Sequence, residues 1–338
     1  DPTGTALTVA ALAAAGRGDA AAEMMGYLAE QAVAYTHQSG QEGAEALFPS
    51  RAGLLLLAIA AAGEDPSSFG GQDLLAQLEA AYDPETGAYA TEAQEDFSSG
   101  AASDVNQAWA LLGLAAAGAE VPAEAGQYLV ALQGEDGSWA GSDPDTTARA
   151  VVALVGGGHA APGDEAIERA LAFFRDTQLA NGGWRPSWDQ EPLNADTTGW
   201  VVQALITAGV YPAEEWTREE GEPVAALLAL QKEDGAIGGA YANAYSTAEA
   251  LLALAGRPLV APAAAGTASA RAGGALPEGQ VAVVVQFDEA RSIVRLVPHA
   301  EGMTGLDALL GTGLPVDVAY SSMGAVVCAI DGQGSPTS

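Results

Sequence analysis

Gln133-Gly-Glu-Asp-Gly-Ser-Trp139 reads as the end of one helix, a tight turn and an aromatic cover. Asp136-Gly137 supplies the positive φ that stops a helix and reverses the chain, and Trp139 is placed to lie back over the turn. The same grammar recurs in Gln178-Leu-Ala-Asn-Gly-Gly-Trp184 and Gln231-Lys-Glu-Asp-Gly-Ala-Ile237, and more loosely in Tyr82-Asp-Pro-Glu-Thr-Gly-Ala-Tyr89.

A second helix follows each turn. The starts of these helices read Thr5-Ala6, Ala52-Gly53, Gln107-Ala108, Thr147-Ala148, Thr198-Gly199 and Thr247-Ala248, and each run closes on a glycine: Gly16, Gly63, Gly118, Gly158, Gly209 and Gly256. Pro122, Pro162 and Pro212 then block continuation. Asp145, Asp196 and Ser246, just ahead of the threonines, are read as the N-caps. The period of about 50 residues belongs to a repeat architecture. The second helices are apolar nearly all round and are expected inside, whereas first helices such as residues 164–178 are amphipathic and are expected outside. About six such pairs suffice to close a ring, so the expected fold is mainly α, an α/α toroid of the (α/α)6-barrel kind; an open solenoid is the alternative. The chain opens on an inner-type helix, residues 4–15, without an outer partner or a Gln…Gly turn ahead of it, which leaves apolar surface for a partner.

Acidic residues number 44 against 12 basic ones, a formal charge of −32 that disfavours nucleic acid as a partner. No apolar run is long enough to span a bilayer. The start at Asp1 is read as N-terminal processing of an extracellular or cell-surface protein. Cys328 is the sole cysteine, so no disulfide forms within the chain.

Residues 257–279 are Pro-, Ala- and Gly-rich and read as a linker between a toroid, residues 1–256, and a small α+β domain, residues 280–338. Val281 to Phe287 and Ser292 to Val297 read as strands, Thr304 to Leu310 as a short helix, and Val316 to Tyr320 with Met323 to Ile330 as a further hairpin. Residues 333–338 carry no pattern.

The Gln133…Trp139 turn, its two relatives and the Thr-Ala helix starts resemble the prenyltransferase and squalene-oxidase repeat superfamily over about the first 255 residues. Glu301-Gly-Met-Thr-Gly-Leu-Asp-Ala-Leu309 and Cys328-Ala-Ile-Asp-Gly332 resemble the transcobalamin-like C-terminal domain of bacterial surface proteins. The two in this order resemble the transcobalamin and intrinsic-factor family, which implies a corrinoid held between the domains. That family module usually continues past the Ile-Asp-Gly turn, so the C-terminal domain is expected to be incomplete.

Four candidate ligand contacts stand at equivalent places near the inner-helix starts: Trp109, Arg149, Trp200 and Glu249; Gln203 lies one turn below Trp200, and Tyr245, Asp145 and Asp196 lie above, in the loops. Either these line a small-molecule site at the barrel mouth, or the tryptophans fill the core and Arg149 pairs with Glu249. Asp143-Pro-Asp-Thr-Thr147 resembles the Asp-x-Asp-Thr-Thr variant of class II terpene cyclases, which implies Asp145, with Asp143 beside it, as a carboxylic acid that protonates an alkene. The bland reading makes Asp145 a helix cap. No zinc set of the prenyltransferase kind assembles from Cys328, His37, His159 and His299, and no metal or required cofactor is expected. Trp184, Trp188 and Tyr241 could form an aromatic strip on the surface. The leading expectation is a non-enzymatic extracellular carrier of a corrinoid or similar small molecule. The alternatives are a structural or adhesive subunit that binds copies of itself through incomplete termini, and a class II terpene-cyclase-like enzyme using Asp145.

Overall fold

A computed structural model describes residues 1–39, 45–91, 103–186, 193–210 and 216–260, and beyond these the backbone of five strands together with Leu309. The chain divides into two compact units, Asp1–Ala265 and Gly266–Ser338.

The first unit is an α/α toroid. Its inner helices are α1 (Pro2–Ala14), α3 (Pro49–Ala62), α5 (Asp104–Ala117), α7 (Pro144–Gly156), α9 (Ala195–Thr207) and α11 (Ala244–Leu254). Each packs on the next, and α11 packs on α1, so the array closes on itself. The outer helices are α2 (Ala22–Thr36), α4 (Leu74–Ala80), α6 (Ala123–Ala131), α8 (Glu165–Thr177) and α10 (Pro223–Ala229). α8 buries Ile167, Ala170, Leu171, Phe173 and Phe174 and turns its charges outward, whereas α7 is buried on nearly every side. A short hairpin, β1 (His37–Ser39) with β2 (Glu45–Leu47), joins α2 to α3.

The recurring turn and the recurring helix start are two halves of one device. The backbone N–H of Trp139 donates to Thr147 Oγ1 at 2.9 Å, that of Trp184 to Thr198 Oγ1 at 2.9 Å, that of Ile237 to Thr247 Oγ1 at 3.0 Å, and that of Tyr89 to Gln107 Oε1 at 2.8 Å. The indoles of Trp139 and Trp184 are fully buried, and each donates back to the preceding outer helix, to Leu129 O and Phe174 O. Every turn is thus bolted to the inner helix it feeds, and neither half is explicable alone.

Caps stand elsewhere than expected. Asp143 caps α7 and Asn194 caps α9, each accepting from a threonine backbone N–H, and Asn243 caps α11 in a capping box with Ser246. Asp145 and Asp196 are therefore not caps and not in loops: each is the second residue of its helix. The reason is the turn, whose bond to the fourth helical residue fixes where the helix begins.

Two glycines set the tightness of the ring. A Cβ on Gly53 of α3 would collide with the carbonyl of Trp109 in α5, and one on Gly113 of α5 would collide with the carbonyl of Gly53. Backbone is in the way, so the pair can part only by opening the ring. Gly53→Ala is expected to lower stability by about 3 kcal/mol, at the top of the overpacking range. Gly26→Ala, on the exposed face of α2 with nothing near, should raise it by roughly 1 kcal/mol through helix propensity alone. Urea midpoints of the two variants check this.

In the second unit β3 (Gln280–Gln286) pairs antiparallel with β4 (Ser292–Pro298), and β5 (Val316–Ser321) pairs with β6 (Gly324–Ile330). β7 (Gln333–Gly334) pairs with β6, so the residues expected to be patternless begin with a strand. The expected helix at Thr304 to Leu310 lies outside the described residues, Leu309 excepted.

Candidate active site

The ring places corresponding residues at one level. The sixth residues of the inner helices are Leu7, Leu54, Trp109, Arg149, Trp200 and Glu249; one turn nearer the N-terminal mouth, the second residues include Asp145, Asp196 and Tyr245. Leu7 and Leu54 make one side of the ring apolar at this level, and on the other side the two tryptophans alternate with Arg149 and Glu249.

Four of the expected contacts touch one another. Trp109 and Trp200 meet edge to face, ring centres 5.5 Å apart. The Arg149 guanidinium lies over both, 5.6 Å from Trp109 and 5.1 Å from Trp200. It reaches Asp145 at 3.8 Å and Glu249 at 3.9 Å, and Trp200 Nε1 donates to Glu249 Oε1 at 2.7 Å. Asp145 Oδ2 accepts from Thr197 Oγ1 at 3.0 Å, a bond across to α9.

Two carboxyls thus share one buried guanidinium, and a third, Asp196, feels its charge. Burial pushes the Asp145 carboxyl above the usual range, Arg149 opposing and Asp143 adding to the rise. Asp196 is raised to about 6 by burial and then by the charge of Asp145, and one of its oxygens, Oδ1, is buried without a partner. Glu249 is raised to about 8 by burial, with Arg149 pulling the other way. Burial alone would lower Arg149; the charges of Asp145 and Glu249 outweigh it and hold the guanidinium ionised. The Tyr245 hydroxyl is raised too, by burial and then by Glu249. Burial thus favours the neutral carboxyls while Arg149 favours the charged ones, and the site sets exchangeable protons beside a cation and two indole faces.

A carboxyl raised on folding binds its proton more tightly in the folded chain than in the unfolded one. Its stabilising contribution is full below the ordinary carboxylate range and drains away as pH climbs through the raised value. Glu249 should therefore cost stability between about pH 4.5 and pH 8, on the order of 1.4 kcal/mol per pH unit at most. Glu249→Gln keeps the acceptor for Trp200 and loses the titration. Its unfolding free energy, measured from pH 5 to pH 8, should fall less steeply than the wild type's.

Gln203 does not join the site. Its amide donates to Leu252 O and Arg257 O and accepts from Leu259, tying α9 to the end of α11. Asp143 is occupied as the cap, with Thr146 Oγ1 at 2.7 Å. Asp196 belongs to the cluster from within its helix and not from a loop above it; the signal was its register with Asp145, each two residues before the threonine that takes the turn. Trp184 is fully buried against Trp216, Tyr241 is 70% exposed and Trp188 lies outside the described residues, so the aromatic strip does not form from Trp184 and Tyr241. Among the described residues no helix is long and apolar enough to cross a membrane.

No family profile matches the sequence. Drimenyl diphosphate synthase of Streptomyces showdoensis is 38% identical over 100 residues, 26% of this chain and 19% of that protein. Among solved structures, type II terpene cyclase MstE from Scytonema superposes with a TM-score of 0.57 at 20% identity, over 75% of this chain and 88% of that one. ent-Copalyl diphosphate synthase from Streptomyces platensis gives 0.51 at 20%, over 75% of this chain and 50% of that one. This chain spans about a fifth of the length of the curated relative it matches, and the structural likenesses establish the toroid.

Two expectations fall here. The non-enzymatic carrier is overturned: the similar sequence is a diphosphate synthase and the similar folds are terpene cyclases. The corrinoid falls with it, since the likeness to haptocorrin in complex with Cbi, at a TM-score of 0.47 and 15% identity, carries no argument.

Proposed function

We propose that this chain carries a class II terpene-cyclase-like activity in which the Asp145 carboxyl protonates the terminal alkene of a polyprenyl chain. The supporting observation is the position of Asp145, relieved of capping by Asp143 and buried in the ring beside Asp196, Glu249 and Arg149. The motif Asp143-Pro-Asp-Thr-Thr147 and the likeness to a drimenyl diphosphate synthase point the same way. A variant of the MstE cyclase was solved in complex with its substrate geranylgeranyl dihydroxybenzoate, which carries a polyprenyl chain.

In the step, the alkene π pair takes the proton of Asp145, a C–H bond forms, and a tertiary carbocation develops while Asp145 is left as carboxylate. Burial favours the neutral form of Asp145, the form that carries the proton. The indoles of Trp109 and Trp200, which face a guanidinium in the resting chain, offer their π faces to the carbocation once the chain enters. The carboxylate that Asp145 becomes, with Asp196 beside it, stabilises the same charge. Ring closure follows by attack of the next alkene, and loss of a proton to a carboxylate ends the sequence.

A second reading rests on one observation: Trp109 is 8% exposed and Trp200 1%, so with Arg149 they form a packed plug. On that reading the residues hold the ring together and no substrate enters.

Incubation in deuterium oxide with farnesyl and geranylgeranyl diphosphates decides between them. A cyclised product carrying one deuterium at the protonated carbon is expected. Unchanged substrate throughout would sink the enzymatic reading and leave the plug.

A further inference from the structure

The outer helices sit over the grooves between inner ones: α2 touches α1 and α3, α4 touches α3 and α5, α6 touches α5 and α7, α8 touches α7, and α10 touches α9 and α11. The groove between α11 and α1 has no helix over it among the described residues. A cavity of about 510 Å³ lies there instead, lined by Thr8 and Leu12 of α1, by Thr247, Ala248 and Leu251 of α11, and by the turn at Asp234.

The other turns show what fits such a place. Gln107 Nε2 donates to Gly87 O at 3.1 Å and to Ala125 O of the next outer helix at 2.8 Å. Gln133 Nε2 donates to Gly137 O and to Ala166 O of α8, both at 2.8 Å. Gln178 Nε2 donates to Gly182 O at 2.8 Å and to Trp216 O, ahead of α10, at 2.7 Å. Gln231 Nε2 makes the first bond, to Gly235 O at 3.3 Å, and no second acceptor stands beside it among the described residues. The turn glycines agree. A Cβ on Gly87 would meet Glu124 O at 2.7 Å, one on Gly182 would meet Glu222 Cα at 2.7 Å, and one on Gly137 would strike Arg169 O; one on Gly235 would meet nothing within 4 Å. Arginines complete the seam, Arg169 donating to Gly134 O and Arg218 Nε to Gln178 Oε1 at 2.8 Å. Arg175, three residues before Gln178, stacks on Trp216 at 4.3 Å, whereas Leu228, three residues before Gln231, is 50% exposed.

We propose that the groove between α11 and α1 is the docking site for an amphipathic helix of a partner polypeptide. The helix lies in the register of α8, offers a carbonyl to Gln231 and carries an arginine three residues later for the turn carbonyls beside Asp234. A second copy of this chain has no described outer helix to spare, since each is already seated. The formal charge of −32 favours a partner that brings the cation. The inference stands apart from the chemistry at the ring's mouth.

A labelled synthetic peptide with the sequence of residues 163–178 is the probe, titrated into the full chain. Saturable binding is expected, with a photo-crosslink to α1 or α11. It should weaken at least tenfold on Arg169→Ala in the peptide, and likewise on Gln231→Ala or Leu251→Glu in the chain. Gln231 is exposed, so that variant folds even if Leu251→Glu does not. Binding no tighter than a scrambled peptide, indifference to Gln231→Ala, or crosslinks to α7 and α9 in place of α1 and α11 would each overturn the proposal. So would light scattering in which the free chain dimerises and the peptide releases monomers, because the occupant would then be a second copy.

Discussion

Asp145→Asn is expected to lower cyclisation by about 10²–10⁴-fold, the range for removing a positioned general acid, while leaving the chain folded. The two halves of that result have separate causes. Asparagine has no proton acidic enough for an alkene, so the chemistry stops. The amide still accepts from Thr197, and helix α7 keeps its cap because the cap is Asp143. The amide removes the cost of ionising a buried carboxyl, and Glu249 remains to face the Arg149 guanidinium. Asp143→Asn should change turnover by no more than about threefold, since asparagine caps a helix as well as aspartate does. Product formation by mass spectrometry, alongside urea unfolding of both variants, tests the pair. Undiminished turnover in Asp145→Asn would move the acid elsewhere in the cluster.

The second large effect is on stability. Arg149→Met should destabilise the chain by about 3–5 kcal/mol at pH 8, the usual cost of stranding buried charge, and by clearly less at pH 5. Methionine replaces most of the side-chain volume between the two indoles, so packing loss is the smaller part. What remains is Asp145, Asp196 and Glu249 without the cation that lies 3.8 Å from the first and 3.9 Å from the last. Their folded pKa values rise further; the stability they give as neutral acids is intact at low pH and is lost as pH climbs through those values. Circular dichroism through urea titrations at the two pH values reads this directly. An equal loss at both would mean that Arg149 acts through packing against Trp109 and Trp200 alone.

Much of the toroid is legible in local chemistry. Asp136-Gly137, Asn181-Gly182 and Asp234-Gly235 require positive φ, and all three glycines adopt it. The alternation of all-apolar and amphipathic runs separates inner from outer helices without any long-range information. Even the register of Trp109, Arg149, Trp200 and Glu249 follows from counting along each helix from its threonine or glutamine. The caps were harder to place. Asp145 and Asp196 look like caps because aspartate before Thr-Thr is a good cap. Asp143 and Asn194 outbid them only because the turn's N–H anchors the fourth helical residue, a contact eight residues apart in one repeat and fourteen in another. Gln203 shows the same limit: one turn below Trp200 on the helix, it is drawn off by carbonyls at the far end of α11.

By itself, then, the order of residues settled where helices stop, which faces they bury and the repeat spacing, because those depend on backbone sterics and on which side chains leave water. Only the assembled ring decided that a guanidinium, two indoles and three acids share one dry space, and therefore which acids hold protons. Solvation and Coulomb forces act between atoms close in space, and the partners here lie about fifty residues apart along the chain.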